Sequence, residues 1–124
     1  MTMDRKYLLW GIAYAIIGML LGIVMASSGN HGQYVTHAHI LLVGFVTSLL
    51  YATIHRLWLI TPSQILARVQ FSLHQLGAVV MSTGLFLMYG NGVDSALLHP
   101  ILGLSSIAVL TAMVLMGYLV IRAR

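Results

Sequence analysis

Four long stretches of this sequence are almost free of charged residues, and they constrain the fold more than any other feature. They run over about residues 7–27, 37–60, 69–90 and 96–121. The hydrocarbon core of a bilayer is about 30 Å thick, so a helix needs roughly 20 apolar residues to cross it. We therefore expect an all-α protein, an integral membrane four-helix bundle, in which residues 1–124 form a single transmembrane domain.

The composition agrees with this expectation and excludes several kinds of site. Charged residues make up 6% of the chain, against roughly 25% in a typical soluble domain. The chain has no cysteine, which excludes disulfides, thiolate zinc sites, iron–sulfur clusters and covalently attached c-type haem. The excess of basic residues is scattered singly at helix ends and forms no patch, so we expect no nucleic-acid partner.

The basic residues instead predict the orientation of the chain in the membrane. With four crossings, every lysine and arginine falls on the same side, whereas the opposite side carries only Asp94. These basic residues are Arg5, Lys6, Arg56, Arg68, Arg122 and Arg124. Because positive residues concentrate in cytoplasmic segments, we expect both termini to be cytoplasmic in a multi-pass protein of the bacterial inner membrane.

Aromatic residues near the ends of the four stretches are typical of the belts that lie at membrane–water interfaces. The predicted inner belt consists of Tyr7, Trp10, Trp58 and Tyr118. The predicted outer belt consists of Tyr34 and Tyr89. Small residues also recur at four-residue spacing, as in Gly18 and Gly22, and such positions let helices or a flat cofactor approach closely.

Histidine is the one residue type whose number points to chemistry, since the chain has six histidines and only two acidic residues. Ionisable side chains at membrane depth are rare and usually functional. Four of the histidines belong to the predicted outer half, namely His31, His37, His39 and His99. The other two, His55 and His74, belong to the inner half. His31 lies in a Gly-flanked loop, where solvation is the simpler interpretation.

Simpler interpretations exist for two of the others as well. His55 borders Arg56 and fits an interfacial residue, and His99 fits a helix cap or a headgroup contact. His74 lies about 9 Å into the third helix, counted from Arg68. That depth favours a functional role for His74.

His37 and His39 form the sharpest feature of the sequence. Two residues that are two positions apart on a helix project about 200° from one another. The two imidazoles therefore face different neighbours and do not chelate one metal ion easily. This spacing suits flat cofactors on either side of the helix.

The segment His37–Val46 (HAHILLVGFV) resembles a histidine–alanine–histidine motif with a following glycine, Gly44, in small four-helix relatives of haem–copper oxidase subunit I. It is also similar to the HAHE segment of the NnrS family of haem- and copper-containing membrane proteins. The resemblance extends more loosely to the first helix and to His74–Gly77. In the large oxidase subunit, a His-x-His on a second helix serves two different haems, and His37 and His39 match it in type, spacing, helix and side of the membrane.

The departures from that family limit what the resemblance implies. The copper-ligand histidine with its tyrosine partner is missing, as are a His-His pair on the third helix and the outer arginines that hold haem propionates. The substitutes for those arginines would be Asn30, His31, Gln33 and Tyr34. The resemblance therefore implies a haem site without a copper binuclear centre, and oxygen reduction is not supported.

Our first hypothesis is a haem b-binding protein whose iron is ligated by His37, by His39 or by both. Ligation by two histidines suits electron transfer, and ligation by one leaves a position for NO or O₂. Gly44 and His99 are the further expected cofactor contacts, and His99 and then His74 are the next candidate iron ligands. Whether the protein is an enzyme stays open.

Two alternatives remain beside haem binding. The chain can be a cofactor-free accessory or assembly subunit of a respiratory or denitrification complex, or it can handle copper through its outer histidines. Under the first hypothesis we expect a homo-oligomer surrounded by membrane lipid, most simply a trimer with haem between protomers, and a respiratory-chain partner. A ring places His37 of one copy beside His39 of the next, so that neither faces lipid.

Overall fold

The computed structural model describes residues 1–123 and consists of four long helices. They are α1 (Met3–Ser28), α2 (Tyr34–Leu57), α3 (Gln64–Tyr89) and α4 (Ser95–Arg122). Each is long and apolar enough to cross a membrane, which confirms the all-α fold and indicates a multi-pass membrane protein.

Each helix begins before the apolar stretch that predicted it, whereas α2 ends earlier than predicted, at Leu57 rather than at residue 60. α1 begins at Met3 rather than at residue 7, and α3 begins at Gln64 rather than at residue 69. Hydropathy marks only the part of a helix that lies in hydrocarbon, whereas helical hydrogen bonding continues into the polar interface. At α3 the start is fixed by Ser63, whose hydroxyl accepts a hydrogen bond from the Leu66 N–H, as an N-cap residue does.

A π-helical segment, Ile40–Val46, interrupts α2 directly after the two histidines. The backbone N–H of Thr47 reaches back to the carbonyl of Leu42, and its hydroxyl donates to the same oxygen at 2.8 Å. π-Segments are rare inside helices and are frequent at functional sites. This segment was not predicted, because hydropathy does not register a change in hydrogen-bond spacing.

Two antiparallel hairpins build the bundle, α1 with α2 and α3 with α4. Glycines allow the close approach within each pair. A Cβ atom at Gly18 would lie 2.6 Å from Leu41 Cδ2, and one at Gly77 would lie 2.9 Å from Val109 Cγ2. These glycines therefore serve helix packing. This is one of the two roles, close approach of a helix or of a flat cofactor, that the sequence suggested for the small residues.

The hairpins meet over two buried clusters. One consists of Tyr7, Tyr51, Ala52, Leu59, Met116 and Leu119, and the other of Tyr14, Ile40 and Ala78. Large apolar side chains cover the outer surface, for example Leu20, Leu104 and Val114. This distribution suits a bundle that is surrounded by lipid.

The structure gives the bundle a basic end and a distal end. The basic end holds the N-terminus, the α2–α3 loop and the C-terminal end of α4, which line shared clefts there. The distal end holds the α1–α2 and α3–α4 loops, where the Gln33 side chain donates to the Phe86 carbonyl. Five of the six basic residues lie at the basic end, and Arg124 lies outside the described residues. That the basic end is cytoplasmic stays a prediction.

Candidate functional site

His37 lies on the flank of α2 that faces α1. Its Nδ1 atom is 2.8 Å from the Gly18 carbonyl oxygen. The ring rests on Gly22, where a Cβ atom would lie only 2.9 Å from the His37 Cε1 atom. The imidazole of His37 thus bonds to one of these glycines of α1 and packs against the other.

His39 bonds to its own helix. Its Nδ1 atom is 2.8 Å from the Val35 carbonyl oxygen one turn earlier. The two rings therefore use different partners, as expected for residues two positions apart on a helix. Both side chains are half-buried.

These hydrogen bonds fix the tautomer of both rings. A carbonyl oxygen only accepts, so Nδ1 must donate in each case, and a neutral imidazole then carries its lone pair on Nε2. Neither Nε2 atom has a hydrogen-bond partner among residues 1–123, and neither is enclosed by the chain. An imidazole held through Nδ1 to a carbonyl with Nε2 open is the arrangement that metal-ligating histidines use.

The other distal histidines do not join this pair. His31 is exposed in the α1–α2 loop, with Nδ1 3.3 Å from the Gly29 carbonyl oxygen. His99 is exposed near the start of α4. Within the part of the chain that the structure describes, no three His, Asp or Glu side chains are grouped to hold a metal ion.

Gly44 has an occupant within the chain. A Cβ atom there would lie 2.5 Å from Cγ of Tyr14, so the space that the glycine leaves is filled by the Tyr14 ring. An apolar cleft of about 270 Å³ opens beside this ring between α1 and α3. Neither His37 nor His39 lines that cleft.

A buried polar network between the hairpins was missed by the sequence analysis. Tyr7, which was predicted to lie in the interfacial belt, is instead fully buried, and its hydroxyl donates to Gln70 Oε1. The Gln70 amide in turn donates to the Ala112 carbonyl oxygen at 3.2 Å. The belt prediction was therefore wrong for Tyr7, whereas Trp10 and Trp58 are exposed.

A second chain of hydrogen bonds runs from α1 through α3 to α2. The Tyr14 hydroxyl donates to Gln75 Oε1 at 2.7 Å, and the Gln75 amide donates to Ser48 Oγ at 3.5 Å. Ser48 Oγ lies 3.4 Å from Nε2 of His74. The Ser48 hydroxyl thus joins the Gln75 amide to the imidazole of His74.

His74 is the most buried histidine of the chain. Its side chain is fully buried, and Nδ1 has no hydrogen-bond partner within residues 1–123. The ring meets Tyr51 edge-on at 5.0 Å between centroids and lies 6.1 Å from Tyr7. Apolar and aromatic side chains thus surround an imidazole that was expected to be a spare iron ligand.

The sequence held a signal for this network. Polar residues recur at helical spacing inside stretches that are otherwise apolar: Tyr7 and Tyr14 on α1, Ser48, Tyr51 and His55 on α2, and Gln70, His74 and Gln75 on α3. Such a stripe identifies the face of a membrane helix that points into the bundle.

The chain thus presents two groups of imidazoles with different chemistry. His37 and His39 expose lone pairs at the distal end, whereas His74 is enclosed by the polar network. His37 and His39 can reach a ligand from outside the chain, whereas the His74 side chain is fully buried. No protein-family model, curated protein or solved structure matches this chain.

Proposed function

We propose that this chain binds haem b and that His37, His39 or both supply axial imidazoles to the iron. The observation that carries the proposal is the open Nε2 atom on each ring, with Nδ1 held by a carbonyl. A polar atom without a partner costs several kcal/mol in hydrocarbon. An iron ion or a polar group from outside the chain therefore has to satisfy these nitrogens.

The residues fit the iron better than they fit the whole porphyrin. The two imidazoles are suitable axial ligands, and their backbone hydrogen bonds orient the rings and raise their basicity. The apolar cleft beside Tyr14 is not lined by His37 or His39. We therefore place the porphyrin between copies of the chain, in a cyclic homo-oligomer, with a trimer favoured.

Bound haem supplies a one-electron redox centre or a site for a diatomic gas. The chain contributes one or two imidazoles, their orientation by Gly18 and Val35, and a water-poor surrounding. Gly44 has an indirect role in this proposal, because its lack of a side chain leaves room for the Tyr14 ring to pack against the part of α2 that follows the histidines. His99, exposed at the distal end, is a further cofactor contact from a neighbouring copy.

The same open nitrogens support one alternative of another class. A cofactor-free accessory subunit of a respiratory or denitrification complex would satisfy each Nε2 with a hydrogen-bond donor from a larger membrane partner. The glycine-lined surface of α4 at Gly103 and Gly117, where an added Cβ would meet nothing within 4 Å, is open for such a partner. Both proposals place the protein in the bacterial inner membrane, with the basic end in the cytoplasm.

The absorption spectrum of the protein purified in mild detergent distinguishes these functions. Haem binding predicts a Soret band and a fixed haem-to-protein ratio. Replacing His37 or His39 by alanine is expected to remove haem or to change its spectrum. His31→Ala is the matched control, because it removes a distal imidazole that also bonds through Nδ1 to a carbonyl. A colourless protein, or unchanged spectra in both helix variants, would contradict the assignment, and bound copper in an elemental assay would favour copper handling.

A further inference from the structure

A polar cleft of about 450 Å³ opens at the basic end, between the starts of α1 and α3 and the end of α2. Its charged lining consists of three basic side chains, Lys6, Arg56 and Arg68, and one acidic side chain, Asp4. Asp4 is engaged by Arg56, with 3.7 Å between carboxylate and guanidinium atoms. The lining therefore keeps an excess of positive charge and favours an anion.

A buried histidine contributes to the same cleft. His55 lines it, is 7% exposed, and stacks on Tyr7 with 5.7 Å between ring centroids. Its Nε2 atom is buried and has no hydrogen-bond partner among residues 1–123. A buried nitrogen of this kind requires a partner, and an anionic oxygen accepts from its N–H.

The start of α3 adds to the positive potential. Gln64, the first residue of this helix, lines the cleft. The first N–H groups of a helix point towards its N-terminal end, where the helix dipole favours negative charge. Three side-chain cations, an unpartnered imidazole nitrogen and a helix start thus converge on one space.

An apolar groove adjoins the cleft on the outer surface of α1 and α2. It measures about 630 Å³ and shares Thr2, Asp4 and Arg56 with the cleft. Leu8, Leu49 and Leu57 form its apolar wall. A free phosphate ion would use the cleft but leave this groove empty, whereas a phospholipid would use both.

We propose that the cleft and the groove together bind an anionic phospholipid, with its phosphate between Lys6, Arg56 and His55 and one acyl chain along Leu8 and Leu49. The site lies at the end of the bundle opposite His37 and His39. The proposal is therefore independent of haem binding, and neither result decides the other.

The test compares lipids and soluble phosphates on the full-length protein in detergent. Phosphatidylglycerol is expected to stay bound in native mass spectrometry and to raise the apparent melting temperature more than phosphatidylcholine does. Glycerol phosphate and inorganic phosphate are expected to have little effect. A similar stabilisation by soluble phosphate would overturn the lipid assignment in favour of a free-anion site, and equal effects of both lipids would overturn the anion site itself.

Variants locate the binding. Lys6→Gln combined with Arg56→Gln is expected to weaken retention of phosphatidylglycerol at least about tenfold, which corresponds to about 1.4 kcal/mol. His55→Phe keeps an aromatic ring against Tyr7 but removes Nε2, and it is expected to weaken retention as well. Arg122→Gln is the matched control, because Arg122 lies at the same end but does not line this cleft. An equal loss in Arg122→Gln would show a general surface-charge effect and contradict the proposed site.

Discussion

At the scale of single residues, the hydrogen bond on one ring nitrogen determines what the other nitrogen can do. In His37 the Gly18 carbonyl holds Nδ1 and leaves Nε2 open towards the outside of the chain. In His74 the Nε2 atom faces Ser48, and the opposite nitrogen is enclosed. Residue type and depth alone could not predict these hydrogen-bond partners, because the carbonyl and the hydroxyl come from helices distant in sequence.

The buried pair Tyr14–Gln75 gives a prediction at this scale. Gln75→Leu leaves the Tyr14 hydroxyl without its acceptor, so we expect a loss of about 1 to 3 kcal/mol in the free energy of unfolding. Tyr14→Phe combined with Gln75→Leu removes both partners and is expected to recover part of that loss. Reversible unfolding in mixed micelles, followed by far-ultraviolet circular dichroism, measures both variants.

A double-mutant cycle separates the hydrogen bond from a general loss of packing. Leu76→Ala, at an exposed position one residue further along α3, is the control and is expected to change stability little. The cycle also includes Tyr14→Phe alone. If the loss of stability in the double variant equals the sum of the losses in Tyr14→Phe and Gln75→Leu, the hydroxyl and the amide are not coupled. That result would argue against the hydrogen bond as a stabilising contact.

At the scale of helices, the length of the apolar stretches predicted the four spans, because a stretch of about 20 apolar residues is typical of a membrane-spanning helix. The π-helical segment Ile40–Val46 could not be predicted in this way, since its residues are as apolar as those of a regular turn. The inward face of α1 was predictable in principle. Tyr7, Gly11, Tyr14 and Gly18 follow spacings of four and three and are all buried, although Tyr7 alone resembles an interfacial residue.

Gly44 gives the prediction at the scale of helix packing. A methyl group there would lie 2.5 Å from the Tyr14 ring, which also packs against Ile40 and Ala78. We therefore expect Gly44→Ala to lower the free energy of unfolding by about 1 to 3 kcal/mol, as overpacked cores do. Gly103→Ala is the matched control, because a Cβ atom there meets nothing within 4 Å and alanine favours helix over glycine by about 1 kcal/mol. A Gly44→Ala protein as stable as the parent would contradict the tight contact with Tyr14.

At the scale of the whole molecule, polar side chains lie inside the bundle and at its two ends, and apolar side chains face outward. The network around Gln70 and Gln75 satisfies most of the buried polar atoms within one chain. The open nitrogens of His37 and His39 are the exception on the distal half of α2. In the basic half, His55 Nε2 and His74 Nδ1 are buried without a hydrogen-bond partner among residues 1–123, so both halves of the chain hold ring nitrogens that it does not satisfy by itself.

The assembly prediction follows from the open Nε2 atoms of His37 and His39. A lipid contact at either Nε2 is costly, so we expect a closed homo-oligomer, with a trimer favoured, in which His37 of one copy and His39 of the next lie at the same interface.

Native mass spectrometry of the detergent-purified protein measures both the number of copies and the haem that each assembly retains. His39→Leu removes one polar ring and is expected to lower the oligomer fraction and the haem content together. His31→Leu changes an exposed loop ring and is expected to change neither. A monomer that keeps its full haem with two histidine ligands would contradict the shared interface, because about 200° of helical rotation separates the two rings within one chain.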